Sequence, residues 1–230
     1  TVEHLLATLH SFDINNVLIE INSTELPAMD GSSYEFSKKL IEVGLHNQKK
    51  PKKVLKILKK VSIKDGLRSI KVFPSDQPSF SIKINFPNNF IGKDHYIYNH
   101  NTQNFIDEIC YARTFCVSQD VVKLRAAGFG LGGNLNNAIV VEDNKILNDS
   151  GLRCNKEFVK HKILDCVGDF YMSGLPLLGS VHARQPGHEL NNRLLKKIFE
   201  NEDNYKIIEL SPYYLSISHQ KNILNNINVA

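Results

Sequence analysis

The chain has 230 residues, 42% hydrophobic and 23% charged, with a formal net charge of +4. That is ordinary globular composition, enough for one large domain or two small ones with real cores. No apolar run approaches the roughly 18 residues of a bilayer-spanning helix. The opening TVEHLL lacks the basic start and small-residue cleavage site of a secretory signal. A cytoplasmic location is therefore expected. Cys110, Cys116, Cys154 and Cys166 show no CxxC spacing, so they are read as reduced and structural rather than as a zinc finger or a disulfide framework.

In chain order, residues 2–12 read as a helix with Leu5, Leu6 and Leu9 on one side. Val17–Ile21 (VLIEI) reads as a strand, and Pro27 to Ser33 is turn chemistry. Tyr34–Val43 reads as an amphipathic helix ending at Gly44. Seven lysines then fall between Lys49 and Lys60. They read as a solvated linker, residues 51–60, running into an edge strand, where lysines discourage sheet-to-sheet association. An anionic partner, nucleic acid or a membrane surface, is the competing reading. Val61–Lys64 and Ser69–Phe73 look like a hairpin turning at Asp65-Gly66. Phe80–Phe86 alternates as a further strand, Thr102–Phe115 resembles a helix, and Ala138–Val141 reads as a strand. Between the last two, GFGLGGN (128–134) is neither a Walker A loop nor a dinucleotide fingerprint. It reads as a loop needing positive φ. Glu157–Met172 and His188–Asn201 are helices, followed by a polar tail. Strands and helices alternate without a regular βαβ rhythm, which predicts an α+β fold.

The phrase EFVKHKILDCVGDF places His161, Asp165 and Asp169 at successive four-residue steps, on one face of a helix. Ile163, Leu164 and Val167 argue that part of this helix is buried, and charged groups on a buried helix need partners. His161 and Asp165 can supply two of the three protein ligands of a catalytic zinc. His4 and His188 are both candidates for the third, and Glu3 beside His4 could serve as general base. His10, His46, His95, His100, His182 and His219 have no partner at metal spacing.

TVEHLLATL, LPAMDGSSYEF, ARTF, LGGNLNNAIVV, LNDSGLRCNKEFVKHKILDCVGD and GHELNN occur in this order. Together they resemble the UDP-3-O-acyl-N-acetylglucosamine deacetylases, zinc amidases that carry out the committed step of lipid A synthesis in Gram-negative bacteria. The resemblance runs from Thr1 to about Phe199. It implies a two-domain α+β sandwich, each domain a sheet with packed helices, the helices of the two domains facing each other across the active site. It implies that His4, His161 and Asp165 ligate Zn2+, with Fe2+ as the alternative ion. Glu3 matches the general base and His188 the general acid. Asp169 matches the carboxylate holding that histidine, and Thr114 the hydroxyl donating to the oxyanion. Lys162 matches a basic residue facing the substrate's phosphate region. Phe115 and an insert at about 116–147 match the apolar passage for the acyl chain.

The family normally carries several tens of residues before the TVEH phrase. Residues 1–50 are therefore expected to be the remainder of an N-terminally shortened first domain, and 61–230 the second. Asn136 stands where the family tends to have an acid, and Phe86 where a histidine is expected. The expected partner is a UDP-linked acylated amino sugar, with no nucleic acid, no stable membrane insertion and a monomeric state. Two other readings compete: a metal amidase with another substrate, and an inactive fragment binding anionic partners through Lys49–Lys60.

Overall fold

The computed structural model describes residues 1–210 apart from 127, 129 and 131. Two helices come first, α1 (Val2–Ser11) and α2 (Tyr34–Val43). Then follow β1 (Lys52–Ile57), the hairpin β2 (Val61–Asp65) and β3 (Arg68–Phe73), β4 (Ser79–Asn85) and β5 (Lys93–Asn99). A short α3 (Thr102–Asn104) runs into a π-turn, Phe105–Ile109, followed by β6 (Phe115–Val117), α4 (Ser118–Ala126), β7 (Ile139–Glu142) and β8 (Lys145–Ile146). Helix α5 (Glu157–Tyr171), β9 (Leu177–Leu178), β10 (Ser180–Arg184), α6 (His188–Phe199), a 3-10 turn (Glu202–Asn204) and β11 (Tyr205–Leu210) complete the described chain. The architecture is mixed α+β, as the sequence predicts. The polar tail beyond residue 210 lies outside the described residues.

The centre of the molecule is α5. Lys162 is its one residue outside the buried set. Helix α1 lies along one flank of α5 and α6 along another, and α5 and α6 together cover one face of a five-stranded sheet of order β2-β3-β10-β4-β5. That face is built by alternation: Val61, Ile70, Val72, Phe80, Ile82, Tyr98, Val181 and Ala183 all turn inward and are buried. Helix α6 meets it with Leu190, Leu194, Leu195 and Ile198, an apolar stripe at helical spacing. Two smaller sheets flank this unit, β11-β1-β9 and β6-β7-β8.

Three local readings change in the folded chain. The lysine-rich segment taken for a linker is strand β1, central in its sheet between antiparallel β11 and parallel β9. Its lysines alternate imperfectly with Val54, Leu55 and Ile57, which are buried; that burial outweighs the charge. Over Val17–Ile21 no strand forms among the described residues, and Leu18 is 83% exposed. A strand's backbone groups need a neighbour to bond, and a short apolar, β-branched run does not supply one. The helix expected over 102–115 stops at Ile109. There Cys110 N donates to Phe105 O (2.8 Å), widening the last turn, and Cys110 O is taken by Ser33 N. Elsewhere the turn chemistry holds. Gly44 sits at φ +73° after α2, and Gly128 and Gly130 adopt positive φ in the glycine-rich loop.

Candidate metal centre and active site

On α5, four-residue spacing stacks His161, Asp165 and Asp169 along one buried side. Helix α1 brings Glu3 and His4 to the same place. The approach depends on Gly168: a Cβ there would lie 2.0 Å from the carbonyl oxygen of Glu3. Only a residue without a side chain lets the two helix backbones come this close. Thr8 Oγ1 and Ser33 Oγ both donate to the His4 carbonyl, at 2.9 and 2.8 Å, fixing the turn that carries the imidazole.

The three buried side chains converge. His161 Nε2 lies 3.2 Å and His4 Nε2 3.8 Å from Asp165 Oδ1. The two imidazoles meet edge to face with centroids 5.0 Å apart. His161 Nδ1 faces the carbonyl of Ala112 at 2.9 Å. A carbonyl only accepts, so Nδ1 carries the proton and Nε2 presents its lone pair to the centre. Asp165 Oδ1 and His4 Nδ1 are buried without a hydrogen-bond partner. Buried polar atoms left this way cost free energy. His4, His161 and Asp165 offer donor atoms all within 4.8 Å of one another, so a cation among them would take up the orphaned carboxylate oxygen. Two nitrogens and one oxygen suit zinc or iron.

The electrostatics agree with ligand duty. Burial, reinforced by His161, pushes the His4 pKa down to about 4, leaving the imidazole neutral at neutral pH, as a ligand must be. Burial alone would raise Asp165, but His161 and Lys162 outweigh it and hold the carboxyl well below its ordinary range. Lys162 Nζ donates to Asp165 Oδ2 at 2.9 Å and stands 5.5 Å from the centroid of the Phe115 ring. Burial works against its charge, but Asp165 keeps its pKa above the usual lysine value.

His188 opens α6 and points back toward α5. Its Nδ1 lies 3.0 Å from both Asp169 oxygens, so that nitrogen donates. Asn191, one turn on, donates to Asp169 Oδ2 at 2.7 Å. The bond to Asp169 raises the His188 pKa to about 9 against the effect of burial. Burial pushes Asp169 above its own ordinary value, and the donors from His188 and Asn191 oppose that. His188 Nε2 is 4.0 Å from Glu3 Oε1, which is itself 3.9 Å from His4 Nε2. Glu3 thus stands between the buried triad and the α6 histidine.

Thr114 lies two residues past Ala112, held by Thr114 N to Gly31 O and Ile139 N to Thr114 O, both 2.8 Å. Phe115 begins β6 and packs on Phe158 and Phe86, with its ring 6.2 Å from that of His161. From Phe115 onward, residues 115–147 hold the three-stranded sheet β6-β7-β8 and α4. Asn148 closes that insert, donating to Leu135 O and Ala138 O and accepting from Val140 N.

Sequence reasoning missed three contributors. Gly168 had a signal, a glycine inside a helical pattern. Asn191 had a weaker one, its position one turn past His188. Glu157 had none. Its carboxylate is fully buried and accepts from Arg113 N, Nε and Nη2 and from Arg153 N. It thereby ties the start of α5 to the segment carrying Ala112 and Thr114.

The sequence profile of the family described as UDP-3-O-acyl N-acetylglycosamine deacetylase matches residues 1–200. A UDP-3-O-acyl-N-acetylglucosamine deacetylase from Campylobacter fetus subsp. fetus is 42% identical over 210 residues, 91% of this chain and 71% of that protein. Enzymes of the same name from Nitratiruptor sp. and Nautilia profundicola are 42% and 45% identical over 92% and 88% of the chain, spanning 71% and 69% of those proteins. With the profile covering most of its length and relatives this similar, the chain belongs to the UDP-3-O-acyl N-acetylglycosamine deacetylase family.

Proposed function

We propose that this chain hydrolyses the acetamide of a UDP-3-O-acyl-N-acetylglucosamine, releasing acetate and the free glucosamine amine, the step that commits the sugar to lipid A. The observation that carries this reading is the meeting of Glu3 and His4 from α1, His161 and Asp165 from α5, and His188 from α6 around one space. His4, His161 and Asp165 would hold the metal, read as zinc, with ferrous iron the alternative for the same donor set. When bound, such an ion acts as a Lewis acid on the amide carbonyl and lowers the pKa of water to about 7.

The chain's own groups do the rest. Glu3, as carboxylate, takes a proton from the attacking water. The Thr114 hydroxyl donates to the oxygen that becomes negative as the carbonyl carbon turns tetrahedral. His188 carries a proton on Nε2 because Asp169 stabilises the imidazolium through Nδ1. That proton goes to the sugar nitrogen as the C–N bond breaks, so acetate and a neutral amine leave without an unfavourable amide anion. Lys162 retains its charge for the phosphate region of the substrate. Phe115 and the 116–147 insert would line the acyl chain's path. Residues 1–50 are read as part of a first domain and 61–230 as the second, acting as a monomer in the cytoplasm. No helix among the described residues is long and apolar enough to cross a membrane.

The test is metal content by elemental analysis together with acetate release from the UDP-sugar, for the chain and its His4→Ala and His188→Ala variants. About one metal per chain, lost in His4→Ala, is expected. His188→Ala should keep the metal while turnover falls ~10²–10⁴-fold. Metal loss in His188→Ala would instead make His188 a ligand and overturn the assignment.

A further inference from the structure

Strand alternation gives the five-stranded sheet a second face, away from α5 and α6. On that face stand Lys64, Lys71, Lys83, Lys93 and Arg184, and Lys60 joins them at the edge with its Nζ 5.8 Å from the centroid of the Phe73 ring. All six are exposed, and none has a carboxylate at ion-pair distance among the described residues. The acids of these five strands, Asp65 and Asp94, turn the other way and pair with Arg193 of α6 and with Lys156 at the start of α5. The result is a sheet face with cations and no anion.

The register makes the arrangement costly for the isolated protein. Arg184 stands directly beside Lys83 on the neighbouring strand. Like charges directly opposite one another destabilise a sheet. The repulsion is relieved when a polyanion covers the face.

The shape of the charge identifies the polyanion. Strands ~4.8 Å apart and outward positions ~7 Å apart along each strand spread the cations over two dimensions. A nucleic acid presents a line of phosphates, and proteins that bind it as single strands stack bases on free aromatic rings. Phe73, the ring on this face, is already engaged by Lys60 and by His182, 5.1 Å away. An extended plane of negative charge matches better. Ile97, 62% exposed among the cations, offers an apolar contact at headgroup level. We infer that the open face of this sheet docks on an anionic phospholipid surface. The inference is independent of the deacetylase reading, because α5 and α6, with the site residues they carry, lie on the other side of the sheet.

The test is co-sedimentation of the whole chain with vesicles of phosphatidylcholine alone and of phosphatidylcholine mixed equally with phosphatidylglycerol, as salt is raised. A Lys71→Glu/Lys83→Glu/Arg184→Glu variant is compared with Lys38→Glu/Lys49→Glu/Lys206→Glu, which changes net charge equally but elsewhere on the surface. Circular dichroism and the thermal midpoint check that both variants fold. Binding to the mixed vesicles only, weakened by salt, is expected. Each cation near an anionic surface strengthens binding about five-fold, so the sheet variant should lose ~100-fold or more and the control far less. Equal loss in both variants would reduce the effect to net charge and overturn the proposal. So would equal binding to phosphatidylcholine alone, or no binding to either vesicle. Tighter binding of a single-stranded oligonucleotide than of the mixed vesicles would assign the face to nucleic acid instead.

Discussion

Replacing Gly168 with alanine tests the idea that a single close approach between helices assembles the site. The new Cβ would sit 2.0 Å from the Glu3 carbonyl oxygen, 2.7 Å from its carbonyl carbon and 2.9 Å from its Cα. An ordinary C···O contact is about 3.4 Å, so α1 and α5 must part by more than ~1 Å. The atoms in the way are backbone, and no rotamer change can yield. Overpacking of this kind costs ~1–3 kcal/mol, while glycine to alanine inside a helix returns ~1 kcal/mol. The net loss of stability should therefore be small, ~0–2 kcal/mol, read from urea unfolding. The effect on the site should be large, because Glu3 and His4 ride on the displaced helix while His161 and Asp165 do not. A ~1 Å misplacement of reacting groups is worth ~10²-fold in rate. We expect metal affinity, measured by chelator competition, and kcat for acetate release to fall together, with kcat down ~10²-fold and the chain still folded. A variant with native metal affinity and native kcat would refute the reasoning, since it would mean the helices meet without needing this glycine.

Other substitutions probe separate parts of the site. Asp169→Asn keeps an acceptor for His188 Nδ1 but removes the charge that raises the histidine to about 9. The protonated form needed for turnover survives below that pKa and is lost as pH rises through it. The alkaline limb of the pH–rate profile should therefore move from about 9 toward the ordinary histidine value near 6.5, and an unmoved limb would assign it to another group. The same pair predicts that wild-type stability gains its full contribution below about pH 6.5 and loses it as pH rises through about 9; the variant should lack that dependence. Asp165→Ala should release the metal, since two histidines rarely hold it, and full metal content by elemental analysis would exclude Asp165 as a ligand. Glu157→Ala leaves Arg113 buried and unpaired, so unfolding free energy should drop by ~3–5 kcal/mol. An unchanged denaturation midpoint would show that Arg113 finds another partner.

Local signals already determined much of this protein. The four-residue steps from His161 to Asp169 follow helical geometry, and α5 forms where they predict it. Helix α2 ends at Gly44 because a positive φ is cheap there, and β2, β3 and β4 form where alternation and turn residues place them. Each depends on neighbours within a few positions, which the order of residues states directly. What depends on distant backbone was not legible. Periodicity alone left His4 and His188 as equal candidates for the third position. Only the packing of α1 on α5 puts His4 Nε2 3.8 Å from Asp165, while the first turn of α6 sets His188 against Asp169. Lys52–Ile57 looked like a charged linker until β9 and β11 supplied partners, and Val17–Ile21 looked like a strand but has none among the described residues. The short strands β9 and β10 lie in a stretch punctuated by glycine and proline, and only pairing with β1, β3 and β4 makes them strands. Glu157 carried no signal at all, because its meaning is the four donors that tertiary folding aims at it. The sequence by itself determined which side chains share a helix face. Tertiary structure decided which faces meet, because that turns on backbone separations such as the one at Gly168, set by residues more than a hundred positions apart.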